Sequence, residues 1–99
     1  MVRKNKYRAN TIPPVAVGEI HLRRLTIDEA LPKLDKCLND AFMAGLCQIR
    51  VVHGKGTGTL RRVIREQLAK HPLVKSYRAG EYGEGGAGVT VVELVQKLG

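Results

Sequence analysis

The stretch Val51–Arg62, VVHGKGTGTLRR, joins a strand pattern to a helix pattern. The strand is CQIRVVH, residues 47–53, which is rich in β-branched residues. Three of the five residues 54–58 are glycines, which let the backbone take positive φ angles and let a ligand approach it closely. A helix follows from Thr57 or Gly58, and its inner face is predicted to be Leu60, Val63, Ile64 and Leu68. A strand, a tight turn and a helix are the basic unit of an α/β fold.

A second strand and helix precede this junction. GEIHLRRL, residues 18–25, alternates apolar and polar residues as a strand does. Thr26 and Glu29 have the spacing of a capping box, in which each side chain accepts a hydrogen bond from the other residue's backbone. The helix that they begin is predicted over Ile27–Ala44, and Gly45 is a natural residue to end it.

Two more strand patterns follow the second helix, which His71 and Pro72 are expected to end. They are VKSYRAG, residues 74–80, and VTVVELV, residues 89–95, separated by a glycine-rich loop. The last is nearly continuous in apolar residues, as in a strand that is central in its sheet or covered on both faces.

The element order is therefore β-α-β-α-β-β. Strands that alternate with helices pair in parallel through right-handed crossovers. The last two strands have no helix between them, so the fourth should run antiparallel. Two helices cannot easily cover both faces of a sheet. We therefore expect an α/β two-layer sandwich, with a four-stranded mixed sheet and both helices on one face.

The basic residues of the chain are unevenly placed. The net charge is +8. Residues 3–8 carry four basic residues and no acid, and residues 50–78 carry eight basic residues against Glu66 alone. Such a local field favours a polyanion, above all nucleic acid. The alternative is a basic surface that only contacts solvent.

Residues 1–17 are predicted to be a flexible basic arm, because they contain Pro13–Pro14 and show no periodicity, and residues 18–99 to be the domain. No apolar run approaches the roughly 18 residues of a membrane helix, so no membrane contact is expected. Cys37 and Cys47 fit no metal-binding or redox spacing. They indicate small buried or half-buried thiols in a reducing cytoplasm.

The glycine-rich turn is a candidate phosphate site. It matches neither the Walker loop nor the dinucleotide pattern G-x-G-x-x-G. It does precede a helix, whose first amides and positive dipole end attract anions. Several scattered cations suit an extended polymer better than one nucleotide. The candidate phosphate-binding residues are Gly54, Lys55, Gly56, Gly58, Arg61, Arg62 and Arg65. The alternative is a structural turn that needs positive φ angles.

Two long motifs carry a family resemblance. HGKGTGTLRRVIREQLAKHPLVKSYR, residues 53–78, and GEGGAGVTVVEL, residues 83–94, resemble the Smr (small MutS-related) domain, and the similarity covers about residues 18–95. The resemblance implies a sheet order of 1-2-4-3, like the C-terminal domain of translation initiation factor three. It also implies nucleic-acid binding, with nicking endonuclease activity in several members. Such domains occur at the C-terminus of bacterial MutS-type proteins, which carry ATPase domains, and as stand-alone proteins.

The first strand departs from the family pattern. That pattern reads L-D-L-H-G or L-D-L-R-G, whereas this chain has IHLRR at residues 20–24. Arg23 matches, but His21 replaces the aspartate and Arg24 replaces the glycine. The loss of a carboxylate puts catalysis in doubt, because a carboxylate can hold a metal or act as a base. Glu19, two residues away on the same strand face, could substitute for it.

Two functions follow from the resemblance. The first is a structure-selective nicking endonuclease of DNA recombination or repair, with His53, Arg23 and His21 as candidate catalytic residues. No cofactor is expected, unless a nuclease activity uses a divalent metal such as Mg²⁺ or Mn²⁺. The second is a non-catalytic module for branched DNA, RNA or a ribosome, in which His53 only bonds to the loop. In either case MutS-type ATPase domains, in the same or a partner chain, are the candidate protein partners.

Overall fold

The computed structural model describes residues 17–96, so almost all of the predicted arm lies outside the described residues. The elements follow the predicted order β-α-β-α-β-β. They are β1 (Val17–His21), α1 (Ile27–Met43), β2 (Gln48–Val52), α2 (Thr59–Ala69), β3 (Val74–Ala79) and β4 (Val89–Leu94). Two short 3₁₀ turns, Tyr82–Glu84 and Gly86–Gly88, lie between β3 and β4.

The sheet has the order β1-β2-β4-β3. β1 runs parallel to β2, with Ile20 opposite Val51, and β4 runs antiparallel to both β2 and β3. The predicted mixed sheet, its order and the direction of the fourth strand are thus confirmed. β4 lies between two strands, and five of its six residues are buried.

Both helices pack on one face of the sheet, as predicted. Alternate residues of β1, β2 and β4 point to that face and meet one apolar side of each helix. The core consists of Ile20, Leu22, Ile49, Val51, Val92 and Leu94 from the sheet side, Ala30, Leu34, Leu38 and Ala41 from α1, and Ile64 and Leu68 from α2. Because Leu34 is fully buried, its truncation to alanine should cost about 2–5 kcal/mol.

α1 begins and ends as its sequence predicts. The Thr26 hydroxyl accepts from the Glu29 amide at 3.2 Å, and the Glu29 carboxylate accepts from the Thr26 amide at 2.9 Å. At the other end Gly45 takes φ +80°, and its amide donates to the carbonyl of Phe42. The amide of Leu46 reaches back to the carbonyl of Ala41, which completes the hydrogen bonds of a glycine-terminated helix.

β1 is shorter than predicted, because it ends at His21 and not at Leu25. The Leu22 amide still donates to the Val52 carbonyl, but the chain turns at Arg23 and Arg24 so that α1 can return over the sheet. This turn comes close to two other segments. They are the loop between β2 and α2, called here the glycine loop (residues 53–58), and the loop between β3 and β4.

The three segments meet at one edge of the sheet, where β1 and β2 end and β4 begins. The Gly88 carbonyl accepts hydrogen bonds from the amides of His53 and Gly54, at 3.1 and 3.0 Å. The two glycine-rich motifs of the sequence are therefore bonded to each other. Neither helix within residues 17–96 is long and apolar enough to cross a membrane.

Candidate nucleic-acid interface

The glycine loop needs its glycines for two different physical reasons. Gly54, Gly56 and Gly58 take φ angles of +80°, +38° and +88°, which other residues adopt only at a cost. In addition, a Cβ at Gly54 would lie 2.9 Å from the Cγ of Arg23, whose side chain packs across the loop. A Cβ at Gly56 would meet no atom within 4 Å, so only its backbone angle demands glycine.

His53 lies beneath the loop and is only 5% exposed. Its Nδ1 lies 2.8 Å from the Gly54 carbonyl, which can only accept, so Nδ1 carries the proton. Its Nε2 then accepts from the Thr90 hydroxyl at 2.8 Å, and that hydroxyl accepts from Nε of Arg65 at 3.0 Å. This chain of hydrogen bonds fixes a neutral imidazole between the loop and β4.

The pKa of His53 is lowered from its usual 6.5, chiefly because burial disfavours the charged form. The hydrogen bond to the Gly54 carbonyl opposes this shift, whereas the positive charges of Arg65 and Arg61 add to it. The imidazole therefore stays neutral at neutral pH. Both of its nitrogens are engaged within the protein.

An open cleft of about 660 Å³ lies where the three segments meet. Arg23, Arg24 and Lys55 line it, together with Gly54 and Gly56 of the glycine loop. Two carboxylates, Glu19 and Glu84, also line it. The cleft can therefore hold an anion of phosphate size beside full positive charges.

The carboxylates of the cleft are paired. Glu84 binds both terminal nitrogens of Arg78, at 2.7 and 2.9 Å, and accepts from the Glu81 amide. The Arg78 guanidinium, and then the hydrogen bond at Glu81, hold the pKa of Glu84 at about 2. Glu19 lies 3.1 Å from Nε2 of His21, which is exposed on the outer face of the sheet.

This donor set does not fit a metal ion. Within residues 17–96, no three histidine, cysteine or acidic side chains are gathered closely enough to hold one. Glu84 is engaged by Arg78, and Glu19 has only His21 beside it.

A second groove, of about 550 Å³, runs along α2. It is lined by Arg61, Arg62, Arg65 and the ring of Tyr77, which is 37% exposed. Arg62 pairs with Glu66 one helical turn away, at 3.1 Å, and this exposed pair contributes little to stability. A crevice of about 340 Å³ between the glycine loop and the start of α1 adjoins both regions.

The predicted site residues thus form two adjoining groups. Arg23, His53, Gly54, Lys55 and Gly56 line the cleft. Gly58, Arg61, Arg62 and Arg65 line the groove on α2. His21 is the one predicted residue that lines none of the three depressions described above, although its partner Glu19 lines the cleft.

Three residues of the site were missed from the sequence. Arg24 lines both the cleft and the crevice. In the sequence it stood out only because the Smr pattern has glycine at that position. Thr90 belongs to the second glycine-rich motif, but its bonds to His53 and Arg65 join residues far apart in sequence. Glu84 carried no signal beyond its acidic side chain in a glycine-rich loop.

Comparison with known proteins gives consistent matches. The sequence model of the Smr domain family matches residues 20–95. Endonuclease MutS2 of Clostridium tetani is 52% identical over 92 residues, which cover 93% of this chain and 11% of that protein. Endonuclease MutS2 of Clostridium beijerinckii is 59% identical over 77 residues, which cover 78% of this chain and 10% of that protein. The chain thus spans about a tenth of the length of these relatives.

Two solved structures resemble the fold. The Smr domain of Thermus thermophilus MutS2 matches with a TM-score of 0.77 and 49% identity, over 79% of this chain and 98% of that one. YdaL, a stand-alone small MutS-related protein from Escherichia coli, matches with a TM-score of 0.74 over 80% of this chain and 64% of that one. Its identity is 24%, so this likeness shows the fold alone.

Proposed function

The chain belongs to the Smr domain family, and from this premise we propose that it binds the phosphate backbone of DNA in the cleft and nicks it there. The observation that carries the proposal is that Arg23 and Lys55 line one cleft with the glycine loop. Such a site can hold a phosphodiester and stabilise the negative charge that develops on it during hydrolysis. The name of the relatives, Endonuclease MutS2, supports the same chemistry.

Binding is proposed to depend on backbone and shape more than on base sequence. Cations outnumber aromatic side chains on these surfaces, and Tyr77 is the one aromatic residue among those that line the groove on α2. Phosphate contacts position a protein without reading sequence. Branched or otherwise distorted DNA is the proposed substrate, since an open cleft beside a second basic groove can contact two backbone segments.

The proton transfer is assigned to Glu19 in this proposal. A nuclease must take a proton from the attacking water. His53 could do so only by giving up its bond to Thr90 or to the Gly54 carbonyl. Glu19 lines the cleft and has a histidine beside it, so its carboxylate is the better placed base. His53 is then a positioning residue for the loop.

A second candidate function is a non-catalytic binding module for DNA, structured RNA or a ribosome. The observation that favours it is the replacement of the family aspartate by His21, together with the two engaged nitrogens of His53. The phosphate site would be unchanged in that case. The two candidates therefore differ in nicking and not in binding.

A nicking assay on supercoiled plasmid, with and without Mg²⁺ or Mn²⁺, tests the proposal. The variants are Glu19→Gln, His53→Gln and Lys55→Ala, with binding to duplex, branched and matched RNA substrates measured in parallel. We expect Glu19→Gln to bind and not to nick, and Lys55→Ala to bind weakly. If the wild-type protein binds but does not nick, the second candidate function, a non-catalytic module, is supported. Absence of binding at low salt would overturn both candidates.

The setting of the domain is also a proposal. The matched residues make up only 11% and 10% of the two relatives, so MutS-type ATPase domains, in the same chain or in a partner, are the proposed neighbours. Cys37 and Cys47 are free and half-buried, which supports a reducing compartment, and the cytoplasm is the proposed one.

A further inference from the structure

Arg24 has an unusual backbone conformation. Its φ angle is +68°, and within residues 17–96 it is the one non-glycine residue with a positive φ. This left-handed conformation crowds the Cβ of an arginine against its own backbone, whereas glycine adopts it freely. Residues held in such conformations cluster at binding and catalytic sites, where the surrounding structure enforces them.

The position of Arg24 is as unusual as its backbone. It lines both the cleft and the crevice, which lie beside the same glycine loop. Arg23, its neighbour, packs its aliphatic stem across Gly54. The turn at these two residues therefore presents two guanidinium-bearing side chains beside Lys55.

The charge of Arg24 is not used inside the described domain. Arg24 is exposed, and no residue within 17–96 forms an ion pair with it. The nearby Glu84 is bound by Arg78 instead. A strained backbone with an unpaired cation does not stabilise the folded domain by itself. The cation does stabilise an anion that is bound next to it.

We infer that Arg24 binds a second backbone phosphate of the nucleic acid, next to the phosphate that the glycine loop and Lys55 hold. This inference rests on the proposed function and adds a contact to it. The first phosphate lies on the cleft side of the loop, and the second is held where the cleft and the crevice adjoin at Arg24. Two neighbouring phosphates of one strand then contact the two sides of the turn.

Arg24→Gly separates binding from folding, because glycine removes the charge and accepts the backbone conformation. We expect the affinity for duplex DNA to fall about tenfold and the log–log salt slope to become shallower by about 0.9, as one phosphate contact is lost. The melting temperature should stay the same or rise by about 2–5 °C, since the strain is relieved. Arg24→Lys keeps the charge and should keep the wild-type slope.

Lys75→Ala is the matched control, since it removes one exposed charge from the end of β3 that lies opposite the cleft. It should leave affinity and slope unchanged. An unchanged slope in Arg24→Gly, together with weakened binding in Lys55→Ala, would overturn the role of Arg24 and leave the proposed function intact. A fall in melting temperature of many degrees would show that Arg24 serves the fold. Failure of the wild-type domain to bind would instead overturn the proposed function itself.

Discussion

The two helices begin on either side of one crevice, and they begin in opposite ways. α1 starts at Thr26 with a complete capping box, and Asp28 and Glu29 place two carboxylates in its first turn. α2 starts at Gly58, which has a left-handed backbone and gives no side-chain cap, and its first turn contains no acid. Arg61 and Arg62 follow at once.

The difference shows that the positive N-terminus of a helix can stabilise the fold or bind an external anion. Every helix has unsatisfied amides and a partial positive charge at its N-terminus. In α1 these are neutralised by the protein's own side chains, which favours folding. In α2 the Thr57 hydroxyl accepts from the Thr59 amide at 3.3 Å and donates to the Thr59 hydroxyl at 3.0 Å, and arginines add to the positive charge. The second arrangement suits an external anion.

The largest expected effect is the salt dependence of binding. If about four to six cations near the start of α2 contact phosphates, the log–log slope for duplex DNA should be roughly −4 to −5. A fourfold rise in salt should then weaken binding by about 250-fold to 1,000-fold. Titrations at several salt concentrations measure the slope. A slope shallower than about −1 would mean that the basic start of α2 only contacts solvent.

Removing the cap of α1 should damage the fold and not the binding. Thr26→Ala should cost about 1 kcal/mol and lower the melting temperature by about 4–8 °C. Thr57→Ala, the matched change before α2, should cost only a few tenths of a kcal/mol, because its bond to the Thr59 amide is long and its other bond joins two exposed hydroxyls. Calorimetry and a binding titration of both variants test this. Equal losses of stability would contradict the distinction between the two helix starts.

An acidic residue in the first turn of α2, like those of α1, should weaken DNA binding and increase stability. Thr59→Asp places a carboxylate at the first helical residue, where the dipole should stabilise it by about 0.3–1 kcal/mol. The same charge should weaken DNA binding about tenfold, since it repels the phosphate. Thr59→Asn, which is similar in shape and uncharged, is the control. Unchanged affinity in the aspartate variant would exclude phosphate from the start of α2.

The smallest expected effect is a pH dependence at His53, which holds the loop before α2. Its pKa is lower in the folded domain than the usual 6.5, so the unfolded chain binds more protons between the two values. The stability from neutral His53 is therefore full above pH 6.5 and is lost as the pH falls. An NMR titration that follows each histidine between about pH 8 and pH 4 tests this. A midpoint for His53 at or above 6.5 would contradict it.

Most of the fold was predictable because its signals are local. The capping box at Thr26, the glycine that ends α1 and the alternation within strands each involve residues a few positions apart. The pattern of β1 was extended too far, to Leu25, because Leu22 is buried like a strand residue although the chain already turns at Arg23. The sheet order came from the family resemblance, and the boundary of the arm at residue 17 stays a prediction.

The roles of the candidate site residues also stay predictions, and their arrangement shows where sequence reasoning ends. The glycines, the cations of the loop and the basic helix were determined by the sequence itself, since composition and spacing reveal them. Three features were determined only by the tertiary structure. They are the hydrogen bond between His53 and Thr90, the separation of the cleft from the groove on α2, and the left-handed backbone of Arg24. The physical reason is range: propensity and periodicity act over a few residues, whereas hydrogen bonds across 37 positions and the pairing of charges depend on how the whole chain packs.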